Sequence, residues 1–116
     1  MSVPVAIKDL PQFVARYGPN PYLLTVGADS TPRATSVSVA WSGELLMAGA
    51  GRRTAQNLKG NAVVTLLWPP PVPGDYTLIV DGLGEVQDGP AGNFIVMIKP
   101  TGAILHVTQQ VPKQRD

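Results

Sequence analysis

The residues with most chemistry to offer lie in one run, Gly49-Ala50-Gly51-Arg52-Arg53-Thr54-Ala55-Gln56-Asn57-Leu58. It is rich in glycine, doubly basic, and opens into a segment at 54–59 that can make about two helical turns before Gly60 ends them. A helix N-terminus offers unpaired backbone amides and a partial positive charge, and two guanidiniums beside it can chelate phosphate oxygens in bidentate fashion. Thr54 can cap the helix or donate to the phosphate, and the glycines let an anion come close to the backbone. An exposed turn with merely solvated arginines fits the same spacing, because short motifs have many chance matches.

Elsewhere the chemistry is sparse. His106 is the only histidine and stands on an apolar strand with no partner in sequence that would make it a base, which favours a structural role. Trp68 and Tyr76 flank a proline loop and either line a substrate pocket or pack the end of a barrel. Asp81, beside Gly82 in a strand pattern, is placed to accept from backbone at a bulge. Paired carboxylates, a nucleophile elbow and a metal-ligand cluster are all missing from the sequence, so no catalytic side chain is assigned and hydrolysis by the protein's own groups is disfavoured.

The elements that must position the basic run follow from periodicity. Ile7, Leu10, Phe13, Val14 and Tyr17 make one helical stripe, with Pro11 allowed if the helix proper begins there and Gly18, Pro19 and Pro21 stopping it. Residues 22–26 read as a strand, 27–32 as a turn, and 33–41 as one alternating strand. In that last strand Thr35, Val37, Val39 and Trp41 face one way, and Ala34, Ser36, Ser38 and Ala40 the other. A face of small residues is either close-packed sheet or a floor for something flat. Ser42-Gly43 turns the chain into a strand at 45–48 that leads to the basic run. Beyond it, 62–68 is a buried strand, 69–74 a stiff proline loop, and 76–86 a long strand in which Gly82 and Gly84 mark a bend or bulge. Residues 94–99 and 103–108 form a last hairpin around Pro100-Thr101-Gly102, and the tail from Gln109 is expected to fray.

This pattern predicts a mainly β fold: an antiparallel split barrel of six to seven strands, with a leading helix and one short helix between strands. At 116 residues it has room for a single domain, 1–116, small enough that dimerisation would add useful burial. Charged residues make up only 15 %, which leaves much uncharged surface for a subunit interface or a ligand groove. A net charge of +1 and 6 % aromatic residues argue against an OB-like barrel binding single-stranded nucleic acid. Without cysteine there is no disulfide, thiolate metal site or catalytic thiol. No stretch resembles a secretory signal or a membrane helix, so the sequence reads as a cytoplasmic protein with no membrane partner.

In order along the chain, a leading helix, PYLLTVGADSTPRATSVSV, the hairpin SGELLMAGAG and RRTAQNLKGNAVVTLL resemble the flavin-binding split barrels, the pyridoxamine 5′-phosphate oxidase-like family. The family pattern has an L-T-V strand, a D-G-x-P turn, a second strand, a basic residue followed by Thr or Ala, and N-L-x-x-N-P before a buried strand. The match covers 17–86. The resemblance implies a homodimer with two sites for FMN, or for a deazaflavin coenzyme of the F-420 type, at the subunit interface. It implies phosphate contacts from Gly51, Arg52, Arg53 and Thr54, with Asn57 nearby, and a ring along Thr35, Ser36 and Val37 and beside Ala48 and Gly49.

Three departures qualify what is carried over. Ser30 stands at the usual turn glycine, a replacement that is tolerable if φ there is negative. Ala62 replaces the proline after Asn61. The second strand has Thr35 and Ala40 where true pyridoxamine phosphate oxidases carry Arg and Lys, which sets vitamin B6 oxidase activity aside. The expectation is a flavin- or deazaflavin-dependent oxidoreductase acting on a small-molecule substrate; the alternative is a non-catalytic flavin or tetrapyrrole binder or sensor on the same barrel.

Overall fold

The computed structural model describes residues 2–112. Strand β1 (Ser2–Val5) is followed by a 3-10 turn at Ile7–Asp9 and helix α1 (Leu10–Tyr17), which starts where Pro11 can sit in the first turn. Leu10 and Val14 are buried, Phe13 and Tyr17 pack partly against the core, and Ile7 stays exposed because it precedes the helix proper. Then come β2 (Tyr22–Val26), β3 (Pro32–Ser36), β4 (Val39–Ser42), β5 (Leu45–Ala50), α2 (Arg52–Gly60), β6 (Val63–Trp68), β7 (Thr77–Asp88) and β8 (Phe94–His106). The frayed tail expected from Gln109 carries no helix or strand as far as Pro112, and 113–116 lie outside the described residues.

The strands form one antiparallel sheet in the order β3-β2-β6-β7-β8-β5-β4, with β1 added alongside the far half of β8. Leu23 of β2 and Val39 of β4 belong to the same buried cluster although their strands lie near opposite ends of that order. The sheet therefore wraps around one core, with Leu46, Leu66, Leu78, Val80, Val96 and Ile98 lining its inside, and its two edges do not pair. That is a split barrel, as the sequence predicts. Among the described residues no helix is long and apolar enough to cross a membrane.

Two expectations need correction. The single strand expected at 33–41 is two strands on opposite edges of the sheet, β3 and β4. The chain crosses the split at Val37-Ser38, where Val37 N–H donates to Pro21 O at 3.1 Å and Val39 N–H to Pro19 O at 2.8 Å. In-out alternation survives the break, with Val37 and Val39 buried and Ser36, Ser38 and Ala40 exposed, which is why periodicity alone did not reveal it. The last hairpin is one continuous strand, β8, because Pro100-Thr101-Gly102 makes a bulge and not a turn. Gly82 opposes Pro100 and Asp81 opposes Gly102, leaving Thr101 as the extra residue. Strand β1 answers to no expectation from the sequence; its register places Ser2 opposite His106.

The two glycines of β7 serve close approach. A Cβ on Gly82 would lie 2.7 Å from Lys99 O, across the bulge. One on Gly84 would lie 3.1–3.3 Å from Val96, Val64 and Leu58 side chains. Leu58 is buried on α2 together with Thr54 and Ala55, and the bare backbone at Gly84 leaves its side chain room against the sheet.

Candidate functional site

Strand β5 runs out at Ala50, and Gly51 caps α2 in extended conformation (φ −86°, ψ −179°). Ala55 N–H makes the first return bond to Gly51 O, at 3.0 Å. The amides of Arg52, Arg53 and Thr54 therefore precede the hydrogen-bond ladder, and no side chain caps them. The helix begins two residues earlier than periodicity suggested, so both arginines belong to its first turn and Thr54 is its third residue, 6 % exposed. A helix start bearing two exposed guanidiniums is a concentrated anion-binding element.

This helix start forms one end of a groove of about 580 Å³. Thr35, Ser36 and Val37, at the end of β3 and the start of the crossing, form one wall, while Gly49, Ala50 and Gly51 form the other and Asn93 closes a corner. The buried neighbours of Gly49 and Ile95, which are Ala48 and Val96, point into the barrel; Gly49 and Ile95 form a register pair on the outer surface. The groove thus lies outside the barrel, at its split. Among the described residues, its only ionisable lining side chains are those of Arg52 and Arg53.

Helix α2 is tied in place by Asn57, whose Nδ2 donates to Thr25 Oγ1 at 3.1 Å. Beyond Arg53 a second, polar pocket of about 250 Å³ opens between α2 and the turn after β2. There the Asp29 carboxylate accepts the Thr31 backbone N–H at 3.1 Å. That bond, then the Thr31 hydroxyl and, more weakly, Arg33, hold the Asp29 carboxyl below its ordinary pKa. An apolar cleft of about 240 Å³ lies between α1 and β4, lined by Val14, Trp41 and neighbours with no ionisable side chain, and so has nothing to hold a phosphate.

No protein-family model matches the chain. Two uncharacterized proteins, from Mycobacterium bovis and Mycobacterium tuberculosis, are each 47 % identical to it over 58 residues. The matched stretch covers 48 % of this chain and only 41 % of theirs. Among solved structures, an F420 reductase superposes with a TM-score of 0.62 at 24 % identity, covering 73 % of this chain and 88 % of its own. A Listeria innocua protein named for pyridoxamine 5′-phosphate oxidase gives 0.70 at 16 % identity, covering 86 % and 98 %. A Mesorhizobium loti FAD-binding protein gives 0.68 at 12 %, covering 94 % and 98 %. The chain has the pyridoxamine 5′-phosphate oxidase-like split-barrel fold.

In this split barrel the residues picked out by sequence fall into two groups. Thr35, Ser36, Val37, Gly49, Gly51, Arg52, Arg53 and Thr54 are brought together around one groove. Ala48 is 2 % exposed and belongs to the core beneath it, and Asn57 anchors the helix from the neighbouring pocket. Trp68 and Tyr76 stand apart from the groove. Trp68 is buried and donates through Nε1 to Gly18 O at 2.8 Å, while Tyr76 offers its carbonyl to the Tyr17 hydroxyl at 2.7 Å. Burial holds the Tyr17 hydroxyl above its usual pKa.

The small-residue face read at Ala34, Ser36, Ser38 and Ala40, whether as close-packed sheet or as a floor, is not one continuous surface, because the chain changes edge between Ser36 and Ala40. Of these four, Ser36 lines the groove and Ala40 the apolar cleft. Asp81 accepts from the Thr65 hydroxyl at 2.7 Å on the adjacent strand and not from backbone, and His106 Nδ1 lies 3.2 Å from Ser2 Oγ. Sequence reasoning missed Ala50 and Asn93 in the groove. Asn93 arrives there only through the β5–β8 register, which pairs Ala50 with Phe94, so no local signal marks it.

Proposed function

We propose that the groove holds the phosphate and ring of a flavin-type cofactor, FMN or a deazaflavin of the F-420 type, and that the protein is an oxidoreductase using it on a small-molecule substrate. The observation that carries this reading is the convergence of Thr35, Ser36 and Val37 with the first turn of α2 around one groove of ligand size. The donor set fits the group: first-turn amides, the Arg52 and Arg53 guanidiniums and nearby hydroxyls suit a phosphate, and the β3 end offers backbone and small polar groups to a ring edge. The fold resemblance to an F420 reductase and an FAD-binding protein supports a flavin-type ligand.

Such a cofactor supplies hydride chemistry when bound. The chain's own residues bind and orient it: Arg52 and Arg53 neutralise the phosphate, and Thr54 lines the groove beside them. With no acid or base lining the groove besides the arginines, the protein's part is placement and not proton transfer.

The proposed active unit is a homodimer. Outside the barrel, Met47 pairs with Met97 and Val63 with Leu83, and Val63 and Leu83 are 57 % and 48 % exposed. The Met47-Met97 pair leads through Ile95 to Gly49 in the groove wall, while exposed Glu85 and Lys99 separate it from Val63 and Leu83, so a second copy seated on this mixed face would cover the groove's open side.

The test is titration of the purified protein with FMN and, separately, with the deazaflavin, followed by cofactor fluorescence, with sedimentation to count subunits. Tight binding of one cofactor per chain to a dimer is expected, and loss of that binding in Arg52→Ala/Arg53→Ala. Failure of both cofactors to bind would overturn the reading; binding without turnover on any reductant or acceptor would leave a cofactor carrier.

A further inference from the structure

Arg53 lines both the groove and the polar pocket beyond it, so the two cavities meet at its side chain. The second pocket is floored by Gly27 and walled by Thr31 and Arg33 on one side and Gln56 and Asn57 on the other. Arg33 reaches it from β3, opposite Thr25, the residue to which Asn57 is bonded. Two guanidiniums, Arg33 and Arg53, thus face a cavity whose one carboxylate, Asp29, accepts the Thr31 N–H. With the Asn57 amide nitrogen engaged at Thr25, its carbonyl edge and the Gln56 amide remain as neutral polar groups on that wall.

We propose that this pocket is a second anion subsite, and that the cofactor is a flavin nucleotide whose chain carries a further anionic group beyond its first phosphate. The proposal rests on the flavin reading of the groove. A nucleotide that stops at one phosphate, such as FMN, would fill the groove and leave Arg33 facing only Asp29. FAD, with its second phosphate, and a deazaflavin, whose chain continues past the phosphate into carboxylates, both present the chemistry that Arg33 and Arg53 would bind. A guanidinium binds phosphate or carboxylate oxygens through paired hydrogen bonds, which Lys reproduces only as a point charge.

The experiment titrates wild type, Arg33→Ala and Arg33→Lys with FMN, FAD and coenzyme F-420 by fluorescence, with thermal melts confirming that each variant is folded. The extended cofactor, whichever of FAD and F-420 it proves to be, should bind wild type about tenfold or more tightly than FMN. Arg33→Ala should remove about that factor for the extended cofactor and leave FMN within about twofold, and Arg33→Lys should recover part of the loss. Equal affinity for FMN and both longer cofactors would overturn the second subsite while leaving the groove reading intact. So would an Arg33→Ala variant that weakens FMN as much as the others. If FMN and both longer cofactors fail to bind wild type, the groove reading and the second subsite fall together.

Discussion

Asn57 donates its side-chain amide to the Thr25 hydroxyl across 3.1 Å, and through that bond strand β2 fixes the helix that carries Arg52 and Arg53. Thr25 is 2 % exposed, so its hydroxyl has little access to solvent if the partner is removed. Asn57→Ala should cost about 1–3 kcal/mol of stability, measured by urea denaturation. In the double variant with Thr25→Val the two losses should be less than additive, because the stranded hydroxyl is removed with its donor.

Gly84 seats Leu58 of the same helix. Gly84→Ala would press a methyl against Leu58, Val64 and Val96 at 3.1–3.3 Å. The expected result is a loss of about 1–3 kcal/mol together with weaker cofactor binding, since the helix must rise from the sheet to relieve the contact. Calorimetric titration alongside denaturation separates the two effects. A destabilised variant with unchanged affinity would show that the helix holds its place.

Ser30 has φ 67°, in the left-handed region, with its N–H donating to Gly27 O at 2.9 Å. The condition under which serine was tolerable at the usual turn glycine is therefore not met, and the turn is strained. Ser30→Gly should raise stability by about 0.5–1 kcal/mol, read as a higher Tm, because relief of a non-glycine residue in that region outweighs the added chain entropy.

Asp29 is fully exposed, yet its carboxyl is held below the usual range, first by the Thr31 backbone N–H and then by the Thr31 hydroxyl. A carboxyl whose folded pKa is depressed adds stability above its unfolded pKa and loses it as pH falls through the folded value. Asp29→Asn should therefore be less stable than wild type near neutral pH. The gap should close as pH falls below about 4, in denaturation curves taken across that range.

Much of the fold was legible because inward residues alternate: Leu23, Leu46, Val64, Leu66, Leu78 and Val80 are apolar and buried in register. The basic end of the groove was legible for a local reason, since Gly49 to Thr54 are contiguous and a helix start states its chemistry in one run. What stayed hidden was non-local. Residues 33–41 keep one alternation through a change of sheet edge, so nothing in them marks the split. Thr101 makes a bulge where Pro-Thr-Gly reads as a turn, because opposing Gly82 admits the kink from a strand nearly 20 residues away. Trp68 and Tyr76, which flank the proline loop and read either as a pocket lining or as barrel-end packing, meet the end of α1: Trp68 Nε1 donates to Gly18 O and the Tyr76 carbonyl accepts from the Tyr17 hydroxyl.

The most direct test of the central claim compares FMN with riboflavin, which differ only in the phosphate, on wild type and on Arg52→Ala/Arg53→Ala. If the first turn of α2 binds that phosphate, wild type should favour FMN by about 100-fold or more, and the preference should collapse in the double variant while riboflavin affinity stays nearly unchanged. Equal affinity of wild type for the two compounds, or an FMN preference that survives loss of both arginines, would contradict the assignment of the phosphate to this helix.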